Sequence, residues 1–295
     1  MATATDTPLT FDDYTVTGPG IYDIPEDAYH ADPVPGGSLS TSGAKMLLEP
    51  SCPAKYAYEK AHGRPPKKVF DLGTAAHTLV LDSGPELVEV EADSWRTDKA
   101  KSKAAEARER GAVPLLSSEM AGVKAMASAL REHPMASALL TRWGRSEQSA
   151  FWRDQKTGVI RRVRFDVLPH ERAGRMVIPD YKSCTAADPE SISKAVEKFR
   201  YHMQADGYLT GARELGLAGD DAAFAFVFQE RTPPYLVNVV QLDVAALLIG
   251  AALNRRAVDI YARCKASGRW PGYGEDIETV TLPVWAERKG WEEEL

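Results

Sequence analysis

The sequence predicts an α+β fold, an α/β sandwich in which a mixed central β-sheet is flanked by helices. Three observations carry that expectation. Residues 162–167 and 178–183 alternate side-chain character at period two, the repeat of a strand. Phe224, Phe226 and Phe228 share one side of a strand over 223–230, and Pro233-Pro234 turns the chain into its partner at 235–242. Other stretches have helical spacing: Met120, Val123, Ala127 and Leu130 make one apolar stripe, and Leu247, Leu248, Ala251, Val258 and Tyr261 make another. There is no internal repeat and no linker long enough to divide the chain. One domain is therefore expected over residues 39–290, preceded by a partly flexible N-terminal arm, residues 1–38.

In chain order, residues 1–20 are rich in Thr, Asp and Gly and are expected to fray. Residues 20–30 read as a short extended arm, and Asp32-Pro-Val-Pro-Gly-Gly37 as a loop. Ser40-Thr41-Ser42 offers hydroxyls fit to cap a helix that stops before Pro50. A second short helix follows over 53–60, then a basic loop from His62 to Lys68. Residues 69–81 read as a helix on which Gly73 and His77 share a face. Residues 88–91 are a strand, and 97–111 are a strongly charged helix or a mobile segment. Ser118 caps the next helix, which His133-Pro134 interrupts. Residues 147–153 form a strand, and Asp154-Gln-Lys-Thr-Gly158 turns it into the strand bearing Arg162. Asp188-Pro-Glu190 opens a helix that runs, with a break, to about Gly216. Asp243 caps the long helix through about Ser267, Trp270-Pro-Gly-Tyr273 is a turn, and 277–284 reads as a last, edge strand before an acidic tail.

Composition narrows the function classes. The chain has 295 residues, 44% of them hydrophobic, and a formal net charge of −6. That is ordinary soluble globular protein without a general basic coat, so any affinity for nucleic acid must come from local positive charge. The three cysteines are far apart and odd in number, which makes no disulfide framework and points to a reducing compartment. They are also too few for an iron–sulfur cluster, which takes four thiolates. No apolar run suits a membrane span and the first residues are no secretory signal, so the expected location is cytoplasmic.

The chemistry concentrates in two adjacent stretches. Arg162, Arg164 and Asp166 share one strand face, with Val163, Phe165 and Val167 on the other; Asp180 and Lys182 point one way and Tyr181 the opposite way. The link from Leu168 to Arg175 contains Pro and Gly and reads as a hairpin loop that would set Asp166 opposite Asp180. Carboxylates so close repel unless a cation sits between them, and Mg²⁺ or Mn²⁺ suits oxygen donors. Arg161, on the other face, reads as solvated. Whether Glu147 shares the side of Asp166 depends on the length of the intervening loop.

Taken in order, the elements are Gly73-x-x-x-His77, Glu147, Arg162-x-Arg164-x-Asp166, Asp180-x-Lys182 and Gln204-x-x-x-Tyr208. This series resembles the PD-(D/E)XK nuclease superfamily, within it the RecB/RecE-like branch of phage-type exonucleases, exodeoxyribonuclease VIII-like. The resemblance covers roughly residues 40–285. Tyr29-His30, Leu39-Ser40-Thr41-Ser42 and Trp270-Pro271-Gly272-Tyr273 are similar to phage-encoded members as well. It implies a restriction-endonuclease-like core and a Mg²⁺-dependent deoxyribonuclease without an iron–sulfur cluster. Asp166, Asp180, His77 and the Tyr181 carbonyl would hold metal, and Lys182 would assist the nucleophilic water. Glu147 would be an outer carboxylate or weak ligand, Arg162 and Arg164 would hold phosphate, and Gln204 and Tyr208 would line the DNA path. It further implies a 5′→3′ exonuclease on linear duplex DNA in recombination or repair, acting as a homo-oligomer, in one form a ring, and feeding a single-strand annealing protein. An endonuclease or single-strand nuclease of repair or defence, and a catalytically idle DNA-binding scaffold, are the competing readings.

Overall fold

The structure, a computed structural model, describes residues 14–63, 72–81, 83–140, 144–170, 174–274 and 276–294. Strand β1 (Gly20–Tyr22) and helix α1 (Glu26–Ala31) come first, then β2 (Leu39–Ser40), α2 (Thr41–Met46), α3 (Pro53–His62) and α4 (Leu72–Leu81). A small unit follows, β3 (Leu87–Val90), α5 (Asp98–Glu109) and β4 (Val113–Leu116), leading into α6 (Ser117–Glu132) and α7 (Pro134–Leu140). The centre is β5 (Gly144–Arg153), β6 (Ile160–Pro169) and β7 (Val177–Cys184). Helices α8 (Pro189–Lys198) and α9 (Tyr201–Glu214), strands β8 (Ala223–Glu230) and β9 (Val237–Gln241), and helices α10 (Val244–Ser267) and α11 (Val284–Glu294) complete the chain.

The strands make mixed ladders, as the sequence predicts. One runs β1-β5-β6-β2, with β2 parallel to β6 and the other pairs antiparallel; a second runs β7-β8-β9, with β7 parallel to β8 and β9 antiparallel; β3 and β4 pair in parallel. The phenylalanine row fills the layer between strands and helices: Phe165, Phe224, Phe226 and Phe228 are buried with Ala205, Leu209 and Ala212 of α9. Burying rings of this size is worth about 2–3 kcal/mol each. On the other face, α4, α6 and α7 pack through Ala75, Ala76, Val123, Leu130 and Ala136 against Tyr181 and Val227. The predicted stripe on α6 is therefore core. Helices α9 and α10 cross closely at Gly250, where a Cβ would fall 2.2 Å from the His202 carbonyl oxygen.

Local chemistry explains most helix starts. Ser40, Thr97, Asp188 and Asp243 each accept a backbone N–H of the first turn of α2, α5, α8 and α10. The cap predicted at Ser118 is replaced by Glu119, whose carboxylate accepts the Leu116 N–H at 2.8 Å. The break in the 188–216 helix is at Arg200, which takes φ 52°.

Several expectations need correcting. Among the described residues β6 and β7 share no ladder; the Asp166 carboxylate, rather than a backbone carbonyl, accepts the Tyr181 N–H at 2.7 Å and so stands between the strands. The tip of that loop, 171–173, lies outside the described residues, as do 1–13 and most of the basic loop at 62–68. Residues 14–38 are not set apart from the domain: β1 pairs with β5, and Val16, Ile24, Ala28 and Tyr29 are buried around Phe151. Arg161 is not solvated but buried, its guanidinium 5.0 Å from the Trp152 ring centre. Leu248 is not inside α10 but 65% exposed, beside exposed Val244 and Ile249. Residues 277–283 form no strand and expose Ile277, Val280 and Leu282, and α11 begins at Val284. Pro283 has no N–H to give a ladder, and β propensity without a sheet edge does not make a strand.

Candidate active site

The site begins with an opposed pair of carboxylates. The β5–β6 register sets Ser146 against Val167 and Gln148 against Phe165, which leaves Glu147 facing Asp166. Glu147 takes φ 57°, a left-handed conformation that costs about 1–2 kcal/mol in a residue with a Cβ. The loop question left open by the sequence is thus resolved: both carboxylates meet on one side. His77, from α4, lies between them, with Nε2 3.3 Å from Asp166 Oδ2 and Nδ1 3.7 Å from Glu147 Oε1. Burial opposes a charge on His77, but the two carboxylates outweigh it and raise its pKa. Arg164 Nε donates to Glu147 Oε2 at 2.6 Å, and its Nη1 donates to the Ile24 carbonyl and the Ser149 hydroxyl, both at 2.8 Å. Burial nonetheless pushes the Glu147 carboxyl up, with the Asp166 charge adding to it.

The second half comes from β7 and α9. Asp180 is 1% exposed. Its Oδ1 accepts Gln204 Nε2 at 2.6 Å, and its Oδ2 is in ion-pair contact with the Lys182 ammonium. The ammonium is therefore the charge partner of that oxygen. Burial and then the Asp166 charge push the Asp180 carboxyl up to about 6. Asp166 goes the other way: burial opposes its charge, yet His77, Lys182 and the Tyr181 N–H hold it below the usual carboxylate range. Burial likewise opposes the charge on Lys182, and the Asp180 and Asp166 carboxylates more than offset that, raising its pKa. The Tyr181 ring points away from the two, its hydroxyl donating to Gln229 at 2.8 Å. Tyr208 is hydrogen-bonded to Gln204 and stands edge-on to Phe165 and Phe224, and burial raises its hydroxyl well above the normal tyrosine range.

A cleft of about 1000 Å³ adjoins these groups, and its walls include His77, Glu147, Arg164, Asp166, Tyr181, Lys182, Gln204 and Tyr208. Of the predicted site residues, Asp180 stays outside these walls, and so does Arg162. It is 6% exposed, with Nη1 2.8 Å from Asp32 Oδ1 and donating to the Ser38 hydroxyl and carbonyl. Burial and the commitment of Nη1 to Asp32 and Ser38 keep this guanidinium from the cleft walls, where a phosphate contact was expected. Two contributors to the cleft were not assigned from the sequence. Lys45 of α2 lines it beside Thr41 and Ser42, and burial, aided by the Lys182 charge, lowers its pKa to about 8. A polar face on a six-residue helix, Thr41 and Lys45 being four apart, was the available signal. Pro25, Glu26, Tyr29 and His30 also line it; of these only Tyr29-His30 stood out in the sequence, and only through the resemblance.

Among the described residues no three His, Cys, Asp or Glu side chains are set as a metal cage. Asp166 is turned onto His77 and Tyr181, and Asp180 onto Gln204 and Lys182. Of the predicted ligands, His77, Asp166 and Tyr181 line the cleft and Asp180 is buried beside it against Lys182 and Gln204, so they are not preassembled. The donor chemistry does fit a hard divalent cation: two neighbouring carboxylates that repel each other, Asp166 and the buried Asp180.

Comparison with known proteins agrees with this architecture. Residues 40–283 match the sequence profile of a family described as a PDDEXK-like domain of unknown function (DUF3799). No curated protein matches the chain. A crystal structure of a "putative exonuclease" from Eubacterium rectale is similar in fold, with a TM-score of 0.56 at 12% identity over 91% of this chain and 99% of that one.

Proposed function

Because the chain belongs to the PDDEXK-like family DUF3799, within the PD-(D/E)XK nuclease superfamily, we propose that its cleft hydrolyses DNA phosphodiester bonds with a divalent metal ion. The observation that carries this reading is that Asp166 and Lys182 line one cleft with His77 and Glu147, while the buried Asp180 is held by Lys182 and Gln204 of that cleft. Mg²⁺ or Mn²⁺ held by Asp166 and Asp180, with His77 and the Tyr181 carbonyl beside them, would polarise a phosphate and activate a water. The protein's own groups do the rest. Lys182 is held protonated by its carboxylate neighbours, so an ammonium is present where charge grows on the phosphate oxygens. Gln204 fixes one oxygen of Asp180, and Tyr208 backs Gln204. Arg164 fixes Glu147 and ties it, through the Ile24 carbonyl, to the segment that brings Pro25 and Glu26 to the cleft. Lys45 adds local positive charge for a polyanionic strand in a chain of net charge −6.

We read the activity as a 5′→3′ exonuclease on linear duplex DNA in recombination or repair. The order of the motifs supports this, as does the name of the Eubacterium rectale protein, whose 12% identity otherwise bears on fold alone. A ring-shaped homo-oligomer and a single-strand annealing partner belong to the same reading. The test is digestion of linear duplex labelled at either the 5′ or the 3′ end, in Mg²⁺ and in EDTA, beside a covalently closed circle. Early release of the 5′ label, survival of the circle and arrest by EDTA are expected. Cutting of the circle would make it an endonuclease. Cleavage that persists in EDTA, or in both Asp180→Asn and Lys182→Ala, would remove the site assignment.

A further inference from the structure

Just outside the cleft, where α8 gives way to α9, the chain exposes an aromatic ring that the core does not use. Phe199 is 50% exposed, whereas every other described phenylalanine is buried. The position is held firmly. Arg200 turns the chain in a left-handed conformation, and its guanidinium is anchored on the Glu49 carbonyl. The Phe199 carbonyl accepts Lys45 Nζ at 2.8 Å. The Phe199 ring centre lies 5.6 Å from that of Tyr201, and the Tyr201 ring has Lys182 Nζ at 5.4 Å and Lys45 Nζ at 5.6 Å. Lys198 Nζ stands 5.4 Å from the Phe199 ring centre and is exposed. A ladder of two rings bracketed by three ammoniums therefore leads from Lys182 to the solvent.

That combination discriminates among ligands. A protein interface depletes lysine at its apolar core. A duplex gripped by its phosphates needs cations but no exposed ring. An unpaired nucleotide needs both, a π face for its base and positive charge for its backbone. We propose that Phe199 is a stacking platform for an unpaired nucleobase next to the phosphate being cut, with Lys198 and Lys45 facing the backbone of that strand. This rests on the nuclease reading of the cleft for its place in the reaction, but not for its binding. It adds that the strand leaves the duplex on the α8–α9 side.

The experiment is titration of a single-stranded oligonucleotide carrying 2-aminopurine, in Ca²⁺, with wild type, Phe199→Leu and Phe199→Trp. Wild type should quench the probe. Phe199→Leu, which keeps apolar bulk without a π face, should bind about tenfold more weakly, the size of one base stack, and lose the quench. Phe199→Trp should restore both. Thermal melting should be unchanged in all three, because the ring is half exposed. Equal binding and quenching by Phe199→Leu, no recovery in Phe199→Trp, or no binding by wild type would overturn the platform. Quenching by a wild type that fails to cleave in Mg²⁺ would instead overturn the nuclease reading and leave the platform standing.

Discussion

Arg162 and Arg164 sit on one strand face, two residues apart, and the protein uses them differently. Arg162 closes a buried ion pair with Asp32, which Lys60 and Ser38 also hold, so Arg162→Met should cost about 1–3 kcal/mol in urea unfolding while the salt dependence of DNA binding stays that of wild type. Arg164 orients a carboxylate in the cleft, so Arg164→Met should lower kcat by more than tenfold with KM changed less, as steady-state cleavage would show. His77 gives a pH signature. Its pKa is raised in the folded state, so its contribution is fully present below the unfolded value and is lost as pH rises through the folded one. Asp166, with its lowered pKa, is still charged there. In EDTA, His77→Gln should therefore destabilise by about 1.5 kcal/mol near pH 5.5 and by little at pH 8.5, read by thermal melting. The sequence made the shared face of Arg164, Asp166, Asp180 and Lys182 legible because strand periodicity is local. The occupation of Arg162 was not legible, because its partner lies in a distant loop of no distinctive pattern.

Among the elements, α9 has the most depending on it. It carries Gln204 and Tyr208 to the sheet and is crossed by α10 where only a hydrogen fits against the His202 carbonyl. Gly250→Ala must push the helices apart. A loss of about 1–3 kcal/mol in urea unfolding is expected, with reduced cleavage as Gln204 withdraws from Asp180; an unchanged midpoint would show that the crossing yields freely. Helix positions were readable because caps and stripes are written in neighbouring residues: Asp188 before Pro189, and Met120 to Leu130 on α6. Strand partnership was less so. The hairpin pattern at 162–183 is present, but a side-chain acceptor on Asp166 replaces the ladder there. Residues 277–283 have strand-like composition, and their failure to pair is decided by the rest of the fold, which offers them no edge.

Over the whole molecule, the fold brings the Asp166 and Asp180 carboxylates close enough that the charge of one raises the pKa of the other. Asp180 titrates near 6, above an unfolded aspartate, so folding favours its protonated form and stability falls as pH rises from about 4 to 6. Above that window a divalent ion should restore what is lost, by mass action on the folded state alone. Mg²⁺ is expected to raise the melting temperature of wild type at pH 7.5 and to do so much less for Asp180→Asn; equal shifts would place the ion elsewhere. Among the described residues no helix is long and apolar enough to cross a membrane. The family match begins at residue 40, yet Pro25, Glu26, Tyr29 and His30 supply a wall of the cleft, and the Ile24 carbonyl holds Arg164. The boundary of the shared sequence is therefore not the boundary of the working unit. A protein trimmed to the matched region would keep Asp166, Asp180 and Lys182 but lose the side of the opening that faces them. Conversely, exchanging this leading segment between relatives offers a way to alter what the cleft admits while leaving its chemistry untouched.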